Sequence, residues 1–180
     1  DFDGGITVLT DLNPWVVSFH LMCSLAIIAV AVLCLRRIDH PAPTRPSRGP
    51  VVVLAWLTFA VGWVVLYVGT VVTGSGPHAG DADAPRNGLD PQLMSQLHAD
   101  AVFALIGLTV GLVFSLRLVG AARAAYVAAL VLLVVELAQG VLGYVQYFTD
   151  LPEVLVGLHM LGAAVLTAVL TRTLLLVREA

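Results

Sequence analysis

Lysine is absent from the 180 residues, and charged side chains of every kind make up only 12% of them, about half the share of an ordinary soluble domain. The nine basic residues are all arginine and are outnumbered by twelve acids, for a net charge of −3. No basic face is therefore available to a nucleic-acid backbone. Cysteine is scarce too. Cys23 and Cys34 lie eleven residues apart in one apolar stretch, about 16 Å along a helix, which is too far for a disulfide. Both read as small core hydrophobes. The first apolar stretch also lacks a basic segment ahead of it: Asp1, Asp3 and Asp11 precede it and Arg36 and Arg37 follow it, the reverse of a cleavable secretory leader. There is no initiating methionine.

What fills the chain instead is hydrocarbon. Hydrophobic residues reach 59% and mean hydropathy is +0.95, so a disordered chain is excluded. Five apolar runs, at 14–35, 51–73, 91–118, 121–148 and 154–177, are each long enough for a hydrocarbon core that needs about 20 helical residues. No water inside a bilayer can satisfy backbone groups, so runs of this length predict helices rather than open strands. The expected class is an all-α integral membrane protein with five transmembrane helices. Its last four, over 51–180, are expected to form a four-helix bundle. Residues 1–35 read as the last external segment and helix of an incomplete preceding half, and 36–50 as a cytoplasmic linker.

Arginine placement gives the orientation, because cytoplasmic loops retain basic residues. Arg36, Arg37, Arg45 and Arg48 follow the first run, Arg117 and Arg123 bracket the turn between the third and fourth, and Arg172 and Arg178 end the fifth. The opposite ends hold Asp1, Asp3, Asp11, Asp81, Asp83, Asp90, Asp150 and Glu153 against a lone Arg86. The chain is thus expected to start outside and finish in the cytoplasm of a bacterial plasma membrane; arginine without lysine, with abundant alanine and valine, hints at a GC-rich genome. The connector at 40–50, rich in proline and arginine, reads as having no fold of its own.

A repeat appears when the histidines are aligned. Thr10-Asp11-Leu12 precedes His20 as Thr149-Asp150-Leu151 precedes His159, at a constant offset of 139, with Gly4 matching Gly143 and Val17 matching Val156. The first and fifth helices therefore read as copies. If the fifth closes a four-helix bundle, the first is expected to close an equivalent earlier bundle whose other helices are not in this sequence.

His20, His98 and His159 follow Pro14, Pro91 and Pro152 by six, seven and seven residues. Proline suits a first helical turn, so all three imidazoles fall about 9–11 Å below equivalent helix ends. Histidine inside lipid is costly and marks function. Zinc would require three or four converging ligands, whereas the thiols share only the helix of His20. Haem requires one or two axial imidazoles and an apolar slot flanked by small residues, such as Gly157, Gly162, Ala163 and Ala164 near His159 and Ala99 and Ala101 near His98. His98 and His159 are assigned as the axial pair of one haem iron and His20 as half of a second site. Arg86, His78 and the amides of Gly74 to Gly76 are expected to receive the propionates.

Other polar positions carry less. Glu136, Gln139, Gly143, Gln146 and Tyr147 recur at helical spacing and predict one stripe facing the bundle interior, either a proton path or interhelical hydrogen bonding. Asp100 is about 200° around the helix from His98 and cannot orient that ring from the same face. His40 reads as solvated, and Trp15 and Tyr147 as interfacial anchors.

Together, Gly4-Gly5-Ile6-Thr7-Val8-Leu9-Thr10, Asn13-Pro14-Trp15 leading to His20, the stretch Gly69-Thr70-Val71-Val72-Thr73-Gly74-Ser75-Gly76-Pro77-His78-Ala79-Gly80, Gln96-Leu97-His98-Ala99-Asp100 and Gly157-Leu158-His159-Met160 resemble haem A synthase across essentially the whole chain. The resemblance implies the last five of eight transmembrane helices, in two pseudo-symmetric halves, of an oxidoreductase that converts the haem O methyl group to the formyl group of haem A for cytochrome oxidase assembly. It implies haem b as cofactor, held by His98 and His159, and haem O as substrate, reacting on the side of His20. The family's catalytic glutamate, its histidine partner and, where present, a cysteine pair belong to helices outside this sequence, so the chain is not expected to turn over alone. Implied partners are the lipid bilayer, the remaining N-terminal helices, haem O synthase and cytochrome oxidase assembly factors. Two other functions fit the residues: a non-catalytic b-type cytochrome subunit, which needs no second haem, and a transporter with the Glu136 stripe as its pathway.

Overall fold

The computed structural model describes residues 5, 9–39, 49–76 and 84–179. Five long helices run in chain order: α1 Pro14–Asp39, α2 Pro50–Ser75, α3 Pro91–Leu118, α4 Arg123–Phe148 and α5 Glu153–Glu179. At 26 to 28 residues each spans about 40 Å, longer than a hydrocarbon core of about 30 Å. Each is also apolar enough to cross a membrane, and no strand occurs among the described residues. The chain is an all-α, multi-pass membrane protein.

Local sequence fixes the starts. Proline opens α1, α2 and α3, where its missing N–H costs nothing. Asp90 caps α3, its Oδ1 accepting from the Leu93 N–H at 2.8 Å. Asn13 Oδ1 accepts from the Trp15 N–H at 3.0 Å ahead of α1. The helices run slightly beyond the apolar runs: α1 continues through Arg36 and Arg37 to Asp39 and α5 to Glu179. Residues 36–39 are thus helical rather than linker, and the rest of that connector, 40–48 with His40, lies outside the described residues.

The helices α2, α3, α4 and α5 pack in sequence and close into a ring, with α2 against α5, while α1 lies outside and touches α2 and α5. Two apolar clusters fill the ring. Ala55, Leu112, Leu116, Ala129 and Leu174 sit toward the arginine-bearing end, and Leu66, Leu132, Leu166 and Leu170 sit nearer the histidines, where Leu25 of α1 joins them. The outer surface is apolar as well, with Phe19, Ile27, Phe103, Phe114 and Phe148 exposed, as lipid contact demands. At the arginine end Arg36 of α1 pairs with Glu179 of α5, the Arg178 guanidinium lies 5.3 Å from the Trp56 ring centre, and that of Arg117 lies 5.9 Å from the Tyr126 ring centre. At the other end the Ser18 hydroxyl donates to the Thr70 carbonyl at 3.4 Å, fastening α1 to α2.

The sequence repeat has a backbone counterpart. Among the described residues, four non-glycine residues have positive φ: Asp11 (51°) and Leu12 (54°) before α1, and Asp150 (60°) and Leu151 (56°) before α5. Two successive left-handed residues are strained for L-amino acids, and the repeated letters adopt the same turn before both helices.

Candidate functional site

His98 lies in the second turn of α3 and His159 in the second turn of α5. Their rings meet across the ring of helices, with centroids 6.4 Å apart and planes at 77°. His159 continues the inward face defined by Ala163, Leu166 and Leu170. Glycines on the two intervening helices admit the rings. A Cβ at Gly69 of α2 would stand 3.1 Å from His98 Cε1, and one at Gly143 of α4 would stand 3.5 Å from His159 Cε1. The His98 ring lies against the backbone of α2 at Gly69.

The Nδ1 atoms of both rings are buried without a hydrogen-bond partner. Leaving such an atom unpaired costs about 1–3 kcal/mol, so the arrangement suits a group that accepts imidazole nitrogen. Just outside the pair, a cavity of about 380 Å³ opens at this end of the ring, lined by Val72, Ser95, Gln146, Tyr147, Leu151 and Val156 among others. Ser95 and Val156 are each one turn outward from a histidine, and Val72 and Gln146 one turn outward from a cradling glycine. The cavity therefore lies about one helical turn, roughly 5 Å, outward of the histidines, neither of which lines it.

Which group fits can be tested on these dimensions. Among the described residues no cluster of three His, Cys, Asp or Glu side chains converges, which is too few protein donors for a structural zinc site. Two imidazoles on opposite sides of one ion need a metal–nitrogen bond of about 2.0–2.1 Å each, plus about 1.1 Å from nitrogen to ring centre. Their centroids then lie about 6.3 Å apart, close to the 6.4 Å observed. Two imidazoles at this separation are a donor set that fits the iron of a haem.

The remaining sequence-derived positions fall elsewhere. Pro14, Ser18 and Leu25 of α1 are buried, and Leu21 and Ile28 join the core; His20 lies about 120° around the helix from that side. It faces away from the ring, with its Nδ1 also buried and unpartnered. Arg86 donates from Nη1 to the Ala84 carbonyl at 2.9 Å and is not among the cavity's lining residues. His78 lies outside the described residues. The segment that carries Arg86 is fixed by Asn87, whose Nδ2 donates to the Val71 carbonyl at 2.9 Å and whose N–H donates to the Gly74 carbonyl at 3.0 Å. Asp100 is exposed and accepts from Gln96 Nε2 at 2.9 Å on its own helix.

Of the α4 stripe, Glu136 is buried, Gln139, Gly143 and Gln146 are half-buried, and Tyr147 is exposed at the cavity rim. The space beside Gly162, expected to admit a macrocycle, is filled by the Gln139 side chain. Gly69 makes room at the His98 ring instead, and Gly143 lies against His159 at a distance an alanine would also allow. Their signal in the sequence was glycine inside an apolar helix, a substitution that costs about 1 kcal/mol relative to alanine unless close approach requires it. No protein-family model, curated protein or solved structure matches the chain.

Proposed function

We propose that this chain is a haem-binding membrane protein, with His98 and His159 as the axial ligands of a haem b, and that it forms the C-terminal part of a haem A synthase-like oxidoreductase. The observation that carries the reading is the 6.4 Å separation of two imidazoles with unpartnered Nδ1 atoms at the mouth of a four-helix ring. When bound, the haem supplies one-electron redox chemistry. The residues would do the rest: His98 and His159 would hold the iron, Gly69 leaves room for the His98 ring, and the apolar clusters beneath would keep water from the inner side. His20, on the far face of α1, belongs to the substrate side, where haem O would be oxidised to haem A with helices outside this sequence completing the site. In the same proposal the histidine end is external, the arginine end is cytoplasmic, and the membrane is a bacterial plasma membrane. Haem O synthase and cytochrome oxidase assembly factors are the proposed partners.

The optical spectrum and haem stoichiometry of the purified chain test the cofactor. His98→Ala and His159→Ala should each remove most bound haem, while His40→Ala leaves it unchanged; normal haem content in the first two defeats the axial assignment. The second reading, a b-type cytochrome subunit, is favoured by one observation: the histidine pair is complete within the ring, and His20 faces away from it. Haem extraction from cells separates the two, because formyl-haem that persists after deletion of the gene removes the synthase and leaves the cytochrome.

A further inference from the structure

Midway along α4, Glu136 is 2% exposed. Its Oε1 accepts from the Thr109 hydroxyl of α3 at 2.8 Å, and its Oε2 is buried with no partner. An ionisable side chain at that depth is expensive and serves no packing need that leucine would not meet. The elements packed against α4 are α3 and α5. From α3, Thr109 is flanked by Leu105 and Leu112. The register fixed by Gly162 against Gln139 and by the Thr173 hydroxyl on the Ala128 carbonyl puts Leu166 and Thr167 of α5 opposite. None of these titrates. Along the ring, the next ionisable groups are the exposed Asp100 of α3, then His98 and His159, toward the cavity, and Arg117, Arg123 and the exposed Arg172 toward the other end.

The same face of α4 leads outward. Gln139 lies one turn above Glu136, and Gln146, with its own Oε1 buried and unpartnered, lines the cavity ten residues from Glu136, about 15 Å along the axis. The Gly143 contact to His159 falls seven residues, about 10 Å, from Glu136. At that spacing in an apolar interior, a unit change of charge at the histidine pair alters the cost of a charge on Glu136.

We propose that Glu136 is a proton-accepting site coupled to the histidine pair. One-electron reduction at the His98–His159 centre is accompanied by uptake of one proton on the free oxygen of Glu136, drawn from the cavity past Gln146 and Gln139. The inference rests on the proposed haem site. The step balances: the electron comes from a one-electron reductant, the proton from water at the cavity, and the carboxylate becomes a neutral carboxyl, so the total charge of centre and carboxyl is unchanged. Thr109 is a positioning residue that holds the other oxygen in place.

The test is an optical redox titration of the haem-loaded full chain at a series of pH values, with dithionite as reductant. The midpoint potential of the wild type should fall as pH rises through the range where Glu136 titrates. Glu136→Gln should lose at least about half of that slope, while Thr109→Val, which keeps the carboxyl, should displace the range in which the slope appears. Reduced-minus-oxidised infrared spectra should gain a carboxyl C=O band that shifts with ¹³C-glutamate and is missing in Glu136→Gln. A chain that binds no haem overturns the proposed function and this inference with it. A chain with a normal haem spectrum, but with the same pH slope and the same infrared band in wild type and Glu136→Gln, overturns this inference alone.

Discussion

Gly69→Ala sets the backbone of α2 against the ring of His98. The added Cβ would lie 3.1 Å from His98 Cε1, whereas carbon atoms settle at about 3.5–4.0 Å. The imidazole must therefore retreat by a few tenths of an ångström. Metal–ligand bonds tolerate deviations of only about 0.2 Å, so the ring cannot both accept the methyl group and keep its bond. Haem retention should fall at least tenfold, equivalent to about 1.4 kcal/mol. Alanine also favours helix by about 1 kcal/mol over glycine, so the unloaded fold should be no less stable than the wild type. Gly143→Ala, whose Cβ would meet His159 Cε1 at an ordinary 3.5 Å, should lose much less haem, and Gly107→Ala, with nothing within 4 Å, should lose none. The assay is a haem titration followed at the Soret band, paired with a thermal melt by circular dichroism. Wild-type haem affinity in Gly69→Ala, or equal losses in all three variants, would refute the reasoning.

Two further outcomes bear on the scaffold. Asp90→Ala removes the acceptor for the Leu93 N–H at the start of the helix that carries His98, so stability in detergent should drop by about 1 kcal/mol, read from the melting midpoint, with Asp90→Asn restoring most of it. Arg36→Ala and Glu179→Ala break a partly exposed ion pair between α1 and α5; a double-mutant cycle by denaturant titration should give a coupling below about 1 kcal/mol that shrinks as salt is raised.

The helices were legible because each apolar run exceeds the span of a bilayer and begins at or near proline or a charged residue, and the depth of the histidines followed from counting residues. Rotation about the helix axes was much less legible. In water an amphipathic stripe tells which side is inside, but lipid is as apolar as a protein core, so Leu25, which is buried, and Ile27, which is exposed, look alike in the sequence. Polar residues escape that degeneracy: Glu136 and Gln139 could be placed inward because lipid rejects them, whereas Tyr147, exposed at the outer end of α4, shows that this rule weakens where head groups and water begin. The glycines against the imidazoles were visible as residues but not as contacts, since the partner of a missing side chain lies on another helix.

Leu151 sits in a left-handed backbone conformation that glycine would adopt with less strain, and such a conformation costs a branched aliphatic residue about 1–3 kcal/mol. Its side chain helps line the cavity over the histidine pair. The strain therefore has a use. A glycine there would relax the backbone but take one hydrocarbon side chain from the cavity wall, so the strained turn is what keeps that wall apolar at Leu151.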